Sequence, residues 1–444
     1  MSIKTNQATT EITASATAQK KSPKKAAFAS LLGSTLEYYD FVLYGTASAL
    51  IFNHLFFPQG DAMVATMASL ATFGVAYIAR PIGGLVMSHV GDKVGRKKAL
   101  MITLIIMGVS SFAIGILPTY ESVGVLATML LLLCRIAQGF SAGAESAGAS
   151  TLTMEHSPEG RRGFFTSSVM VGCSAGNVLA GVVFLPFLML PEEHLMSWGW
   201  RIPFLLSAVV LLVAYWVRTH LEEAPVFDEA QDSGETHAIP AVRVLKTQWV
   251  DVLRIVLITV YSVIQTTYMV FALSYATEHG GVDRSTMVLV NTVAMAISIA
   301  TIPLAGMLSD RFGRRPVLLV GAVGCIITTW FYFGAMTDGN VALIFVICIL
   351  NQSLFYSCWN GVWPVLFPEM FDAPVRYTGM AMGNQTGLML TGFAPAISAG
   401  LLMWGGWHAV FAFVAVCVLI ASVTIYTLRE TAFTPLEQLG RRNT

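Results

Sequence analysis

The sequence contains twelve long apolar segments, each bounded by charged or turn-forming residues. A transmembrane helix needs about 20 apolar residues, and these segments have that length or more. Charged residues make up only 12% of the 444 residues, against about 25% in a soluble domain. The sequence therefore predicts an all-α polytopic membrane protein with twelve transmembrane helices. The predicted spans are residues 27–53, 63–88, 98–117, 123–150, 162–189, 201–219, 251–278, 286–308, 316–336, 341–366, 377–404 and 407–428.

Lysine and arginine residues cluster in alternate loops. They precede the first span, follow the last, and lie between spans 2 and 3, 4 and 5, 6 and 7, 8 and 9, and 10 and 11; Arg201 and Arg284 are the exceptions. Basic loops remain on the cytoplasmic side of a membrane. We therefore expect a multi-pass protein of the plasma (bacterial inner) membrane, with both termini in the cytoplasm.

Two short motifs occur once in each half of the chain. Asp92 and Arg96 recur 218 residues later as Asp310 and Arg314, and Glu155 recurs 214 residues later as Glu369. Such repeats indicate a duplicated six-helix unit. The predicted organisation is a disordered cytoplasmic tail (1–26), a six-helix bundle (27–219), a cytoplasmic linker (220–250), a second six-helix bundle (251–428) and a cytoplasmic tail (429–444).

Five charged residues fall well inside the predicted spans, away from the span ends, and all are in the first half: Glu37, Asp40, Arg80, Arg135 and Glu145. A charge at that depth is costly and usually faces a partner or a water-filled cavity. Because three acids face two arginines, one carboxyl group lacks a cationic partner and tends to take up a proton. We therefore predict that Asp40, Glu37 and Glu145 handle protons. A static structural ion pair is the alternative, and we favour it for Arg80.

Several motifs together resemble those of one transporter family. They include the loops Asp-(Arg/Lys)-x-Gly-Arg-(Arg/Lys) after spans 2 and 8, and the groups Glu37-Tyr-Tyr-Asp40 with Tyr44-Gly45, Arg80-Pro81, Arg135 with Gln138-Gly139, and Pro368-Glu369 with Arg376. This set resembles the major facilitator superfamily and, within it, the metabolite:proton symporter family. The chain departs from the pattern at Ser88, where a glycine is expected, and at Lys93, where an arginine is expected.

The resemblance implies two pseudo-symmetric six-helix bundles and proton-coupled uptake of organic acids or zwitterions by alternating access. The expected partners are a small organic acid or zwitterionic metabolite, protons and the lipid bilayer. We expect no nucleic acid, no cofactor besides the proton gradient, and a monomer. Shikimate-like, dicarboxylate and α-ketoacid substrates all suit one guanidinium group surrounded by neutral donors.

Asp40 and Arg135 both come out near the middle of their spans, at about 1.5 Å per residue. Our hypothesis is that they contact each other until a proton binds the Glu37/Asp40 pair, after which Arg135 holds a substrate carboxylate. A static strut remains the alternative. The candidate substrate-binding residues are Arg135, Tyr44, Gln138, Tyr261, Gln265, Asn360 and Asn384, with Tyr268, Asn351, Gln352, Trp359 and Gln385 as weaker ones.

The repeated loop motifs predict a cytoplasmic gate. An aspartate there can accept hydrogen bonds from a helix N-terminus and from arginines of the opposite half. The network would hold the cytoplasmic side closed and release it during transport. The predicted gate residues are Asp92, Arg96, Glu155, Arg162, Asp310, Arg314, Glu369 and Arg376.

Other functions compete with proton-coupled import. A facilitator or exporter of neutral solutes is the nearest alternative, and a non-transporting membrane sensor is another. The paired carboxylate and arginine favour a charged substrate over a neutral one. An enzyme is not indicated, because the sequence has no nucleophile–base pair and no nucleotide loop. The six cysteines lie singly in apolar segments, so neither a zinc site nor a disulfide framework is predicted.

Overall fold

The computed structural model describes residues 23–57, 62–94, 96–143, 145–220 and 240–440. Side chains at 62, 88–94, 96–100, 214, 216–220, 240, 241 and 374 are not described. Within this part of the chain the regular structure is helical throughout. The predicted tail 1–26 and linker 220–250 lie mostly outside the described residues.

Twelve long helical segments, which we label α1–α12, follow one another along the chain. They are α1 (Pro23–Leu50), α2 (Ala62–Val94), α3 (Arg96–Ile116), α4 (Val125–Ala142 with Glu145–His156), α5 (Arg162–Leu188), α6 (Arg201–Leu205 with Ser207–His220), α7 (Trp249–Glu278), α8 (Arg284–Phe312), α9 (Arg314–Thr337), α10 (Val341–Glu369), α11 (376–404) and α12 (407–427). Short helices lie between them at Phe52–Leu55, Tyr120–Val123, Glu192–His194, Pro240–Thr247 and Ala373–Val375, and another follows α12 at Leu436–Gln438.

The count of twelve agrees with the apolar content of these helices. In the described ranges, nine segments are long and apolar enough to cross a membrane. One of them, residues 376–427, contains both α11 and α12, because the backbone breaks at Gly405 and Gly406. Gly406 has φ of +65°, which a residue with a side chain rarely adopts. The shorter α3 and the carboxylate-bearing α1 complete the set.

The first six helices pack into one bundle and the last six into another. α5 packs against α1, and α4 against α2 and α3; in the second bundle α7 packs against α11 and α8 against α10. The two bundles meet where α5 contacts α8 and where α2 contacts α11. This arrangement confirms the predicted fold of two six-helix bundles.

Glycines bring α2 and α4 into close contact. A side chain on Gly139 would collide with the backbone of Ala76, and one on Gly143 with the backbone of Arg80. Small residues let membrane helices approach closely. This packing places Arg80 and Arg135, two of the buried arginines of the first half, next to α1.

Parts of the predicted linker and of the predicted C-terminal tail form short helices and contain buried side chains. The end of the predicted linker forms the helix Pro240–Thr247, whose Val244 is buried. Residues 429–440, predicted as a tail, pack against the bundle end, where Ala432 and Leu439 are buried. These residues carry their own polar contacts, described below.

Candidate functional site

Glu37 and Arg80 form a buried ion pair between α1 and α2. Arg80 Nη2 lies 2.9 Å from Glu37 Oε1, and each side chain is 4% exposed. The Arg80 guanidinium also lies over the rings of Phe41 and Tyr77, at 4.2 and 4.8 Å. The pairing of Arg80 that the sequence favoured is thus present, and Glu37 is the partner.

Arg135 on α4 is fully buried and lies among aromatic rings and neutral acceptors. Its guanidinium is 4.5 Å from the ring centre of Phe41 and 4.1 Å from that of Tyr44. Nη1 donates to Gln138 Oε1 (3.0 Å), and Nη2 donates to the carbonyl oxygen of Phe73 (3.2 Å). Cation–π contacts of this kind stabilise a desolvated cation by about 2 kcal/mol or more.

The expected direct contact between Asp40 and Arg135 is absent from the ion pairs of the described residues. Asp40 Oδ1 instead accepts a hydrogen bond from Ser207 Oγ of α6, at 2.7 Å. Its carboxyl group also interacts with Ser111 of α3. On the same helix as Asp40, the rings of Phe41 and Tyr44 lie over the Arg135 guanidinium group.

The three predicted proton-handling carboxyl groups line one small cavity inside the first bundle. Glu37, Asp40 and Glu145 surround a space of about 20 Å³, together with Ser141 and Ser207. A space of this size can hold about one water molecule. Its walls come from α1, α3, α4 and α6. The structure therefore brings the three acids together, although they are distributed over more than a hundred residues of sequence.

Tyr44 and Gln138 lie beside Arg135 within the first bundle. Tyr44 donates its hydroxyl to Thr72 Oγ1 at 2.6 Å, and Gln138 Nε2 donates to Ser111 Oγ at 2.7 Å. Both side chains are fully buried. Their role in substrate binding stays a prediction, because their described contacts are to other residues of the protein.

Tyr261 and Tyr268, predicted on the polar face of α7, direct their hydroxyl groups toward α9. Tyr261 donates to Cys325 Sγ (3.6 Å) and stacks on Trp359 with ring centres 4.7 Å apart. Tyr268 donates to Thr329 (3.3 Å). These tyrosines pack inside the second bundle, whereas Gln265 is partly exposed and accepts a hydrogen bond from Tyr356 at 3.4 Å.

The amides of α10 and α11 divide into two groups. Asn351 donates to Thr328 (2.7 Å) and Gln352 donates to Asn351 (3.1 Å), so this pair joins α10 to α9. Asn360 and Asn384 are also buried, and Asn360 Oδ1 has no hydrogen-bond partner in the described structure. In addition, Gln385 Nε2 donates across the bundle boundary to the carbonyl oxygen of Gly143, at 2.9 Å.

The predicted gate residues form a network at the end of the bundles that carries the loops between spans 8 and 9 and between spans 10 and 11. Glu369 of α10 lies 3.2 Å from both Arg314 of α9 and Arg162 of α5. Asp310 of α8 accepts from the backbone N–H groups of Gly163 and Phe164, at 2.8 and 2.9 Å. The aspartate thus caps a helix N-terminus of the opposite bundle, as the sequence motif predicts.

A second pair of gate residues also joins the two bundles. Arg376 Nη1 lies 2.8 Å from Glu155 Oε1, with Arg376 buried and Glu155 39% exposed. The side chains of Asp92 and Arg96 lie outside the described residues, so their part in the gate stays a prediction.

Glu430, just after α12, is a functional candidate that the sequence did not reveal. Its carboxylate accepts from the backbone N–H groups of Arg314 (2.8 Å) and Arg315 (3.1 Å), at the start of α9. The following residues continue the network: Thr431 donates to Glu369 at 2.6 Å, and Arg162 donates to the carbonyl oxygen of Thr434 at 2.8 Å. The only signal in the sequence is an acid directly after the last span.

Polar contacts also join the bundles at the opposite end. Thr66 of α2 donates to Glu278 of α7 (3.2 Å), and Arg284 of α8 lies 3.2 Å from Glu192. Beside them is an open cleft of about 560 Å³, which is lined by α1, α5, α7 and α8 and includes His54. The two bundles therefore make polar contacts with each other at both ends.

Two packed bundles of apolar, membrane-length helices, joined by polar contacts at both ends, are the architecture of a membrane transporter. The chain belongs to the major facilitator superfamily. The family model "Sugar (and other) transporter" matches residues 25–248, and the model "Major Facilitator Superfamily" matches residues 255–443. The predicted family and the prediction of a transporter rather than an enzyme are both confirmed.

Relatives of known name cover nearly the whole chain. The shikimate transporter of Escherichia coli is 36% identical over 416 residues, which is 92% of this chain and 95% of the relative. The proline/betaine transporter of the same organism is 34% identical over 438 residues, covering 93% and 85%. Among solved structures, a partially occluded inward-open conformation of the xylose transporter XylE from E. coli matches with a TM-score of 0.74, at 18% identity, covering 93% and 99%. That last likeness shows the fold.

Proposed function

We propose that this transporter is a proton-coupled symporter that imports a small organic acid or zwitterionic metabolite, and that Asp40 carries the proton. The observation that supports this most directly is the environment of Asp40. It is buried, it forms no ion pair among the described residues, and it accepts a hydrogen bond from the hydroxyl of Ser207. Glu37, by contrast, is paired with Arg80.

A buried carboxyl group without a cation takes up a proton more readily than a paired one. The small cavity beside Asp40 gives room for about one water molecule through which a proton can arrive. Transfer from that cavity to Asp40 would neutralise the carboxylate while leaving the Glu37–Arg80 pair intact. Protonation of Asp40 alone would therefore change the net charge buried in the first bundle.

Arg135 is the proposed ligand of the substrate carboxylate. Its guanidinium is held by neutral partners only, and Nε has no hydrogen-bond partner in the described structure. The forked donors of arginine suit a carboxylate. Because Arg135 is fully buried in this conformation, binding requires that α1 release it. By their names, one relative transports shikimate, which is a carboxylic acid, and another transports proline and betaine, which are zwitterions. These compounds belong to the proposed class of substrate.

A neutral polyhydroxylated solute is the second candidate. The complete burial of Arg135 favours it, since a neutral solute needs only the amide and hydroxyl groups between the bundles, such as Gln265, Tyr356 and Asn360. Under this proposal uptake of a sugar would continue when the proton gradient is collapsed.

Uptake into proteoliposomes with an acidic exterior decides between the two. The panel contains shikimate, proline, betaine, α-ketoglutarate, succinate and xylose, each with and without a protonophore. We expect one acid or zwitterion to accumulate, and accumulation to cease with the protonophore. Asp40→Asn should abolish accumulation and leave counterflow exchange, whereas the exposed Asp338→Asn serves as the matched control. Full proton-driven accumulation by Asp40→Asn would contradict the proposal.

A further inference from the structure

A continuous row of buried polar side chains connects Arg135 to Asp40. Arg135 Nη1 donates to Gln138 Oε1 at 3.0 Å, and Gln138 Nε2 donates to Ser111 Oγ at 2.7 Å. Ser111 in turn interacts with the carboxyl group of Asp40. The intermediate residues, Gln138 of α4 and Ser111 of α3, are fully buried.

We propose that Gln138 and Ser111 are positioning residues that form a hydrogen-bonded relay, through which protonation of Asp40 changes how firmly Arg135 is held. This inference rests on the proposed function and adds the path by which the proton site and the substrate site communicate. Neither residue touches the transferred proton or the substrate in this role.

All donors in the row point the same way, from the cation to the carboxylate. Arginine can only donate, so the Gln138 oxygen must face Arg135 and the amide nitrogen must face Ser111. Ser111 accepts from that amide, which leaves its own hydrogen for Asp40. Hydrogen bonds aligned head to tail polarise and strengthen one another. The negative charge of Asp40 therefore strengthens the bond that Gln138 makes to Arg135.

Aromatic rings of α1, the helix that carries Asp40, lie against the Arg135 guanidinium. The ring centres of Phe41 and Tyr44 are 4.5 and 4.1 Å from it. The other hydroxyl donor to Asp40, Ser207, belongs to α6. Ser111 is therefore the described side chain that interacts both with Asp40 and with the amide bound to Arg135.

The other charged and titratable groups around Asp40 have contacts outside this row. Glu37 is paired with Arg80 on α2, and Glu145 of α4 lines the same small cavity. Tyr39 neighbours Asp40 on α1 and donates its hydroxyl to the Pro203 carbonyl oxygen of α6. Protonation of Asp40 removes the charge at the end of the relay, and Ser111 and Gln138 lose their preferred orientation. Arg135 then keeps only the Phe73 carbonyl and the aromatic rings, and can turn toward a substrate carboxylate.

The test compares Ser111→Ala with Ser110→Ala. Ser110 is the neighbouring serine on α3, and its hydroxyl donates only to the carbonyl oxygen of Ile106 within its own helix, at 2.6 Å. The measurement is the pH profile of uptake in proteoliposomes, with radiolabelled shikimate or whichever acid of the panel accumulates most. Counterflow exchange of the same compound measures binding and conformational cycling without net proton movement.

Ser111→Ala removes a donor to the Asp40 carboxylate, so the charged form becomes less favourable. The loss of a hydrogen bond to a charged group corresponds to a shift of about one pH unit. We expect the uptake profile of Ser111→Ala to move to higher pH by about that amount, and Ser111→Thr, which keeps the hydroxyl, to restore the wild-type profile. Ser110→Ala should leave the profile unchanged.

A wild-type pH profile in a folded Ser111→Ala protein would overturn the relay. If that variant does not fold, Gln138→Met breaks the same row at similar volume, and an unshifted profile there has the same meaning. Failure of the relay is distinguishable from failure of the proposed function. Normal accumulation of substrate by the Asp40→Asn protein would refute proton carriage by Asp40. If Asp40→Asn fails to accumulate substrate but the pH profile of Ser111→Ala is unshifted, only the relay is refuted.

Discussion

Arg162 of the first bundle and Glu369 of the second form a buried ion pair, with 3.2 Å between Nε and Oε1. Glu369 also binds Arg314 of its own bundle, so one carboxylate holds two arginines. Both Glu369 and Arg314 have no exposed side-chain surface. Separation of the bundles at this end requires the Arg162 contact to break, so we expect the pair to stabilise the closed state.

Glu369→Gln should weaken that closed state strongly. Removing one partner of a buried ion pair leaves uncompensated charge and costs about 3–5 kcal/mol. The equilibrium should then shift toward opening at this end and closing at the opposite one. A cysteine in place of His54, in the cleft at the opposite end, should react several-fold more slowly with a membrane-impermeant maleimide in the Glu369→Gln background. Glu437→Gln, at an exposed acid near the chain end, is the control, and an unchanged rate in Glu369→Gln would argue against the gate.

Glu155→Gln should have a much smaller effect than Glu369→Gln. Glu155 pairs with Arg376 at 2.8 Å, but it is 39% exposed, and water screens partly exposed pairs to within about 1 kcal/mol. The same cysteine-labelling assay should show less than about a twofold change in rate. An equal change in labelling rate for Glu155→Gln and Glu369→Gln would show that burial does not determine the strength of these ion pairs.

Glu430→Gln should destabilise the start of α9. The carboxylate accepts two backbone N–H groups there, and an acid at a helix N-terminus contributes about 0.3–1 kcal/mol, or up to about 2 kcal/mol when partly buried. Thermal unfolding in detergent should show a lower midpoint than in the wild type. Glu437→Gln again provides the comparison, because that side chain is exposed. Equal midpoints for the two variants would contradict capping by Glu430.

The sequence predicted the fold well because membrane insertion acts on local properties. Runs of apolar residues and the placement of lysine and arginine specify each span, and internal repeats identify the two bundles. The gate pairs were also predictable as a group, since Asp310 and Arg314 repeat Asp92 and Arg96. The individual pairs within this group were not predictable, because Glu369 and Arg162 belong to different bundles and meet only where the bundles are in contact.

The side-chain contacts at the candidate proton site could not be predicted from the sequence. Depth along the helices placed Asp40 and Arg135 at one level, and a direct contact was the natural expectation. The rotation of α1 presents Phe41 and Tyr44 to the guanidinium, and the serine donors come from α3 and α6. Neither serine differs in its sequence context from the many other hydroxyl residues in the spans. Glu430 was hidden for a related reason, since a short polar segment has no periodicity from which to predict docking.

The close packing of α2 against α4 gives a prediction that links fold and site. A methyl group at Gly139 would collide with the backbone carbonyl of Ala76. Since that neighbour is backbone, Gly139→Ala must push the helices apart, at a cost of about 1–3 kcal/mol or more. Arg135, one turn earlier on α4, would then move away from the Phe73 carbonyl oxygen that it binds at 3.2 Å.

We therefore expect Gly139→Ala to lower both the thermal midpoint in detergent and the rate of proton-driven uptake. Gly334→Ala on α9 is the matched control, because a methyl group there would meet no atom within 4 Å, and replacing a helical glycine with alanine favours the helix by about 1 kcal/mol. Its midpoint should stay the same or rise. A Gly139→Ala protein with the stability and uptake of the wild type would show that α2 and α4 can separate without disturbing Arg135.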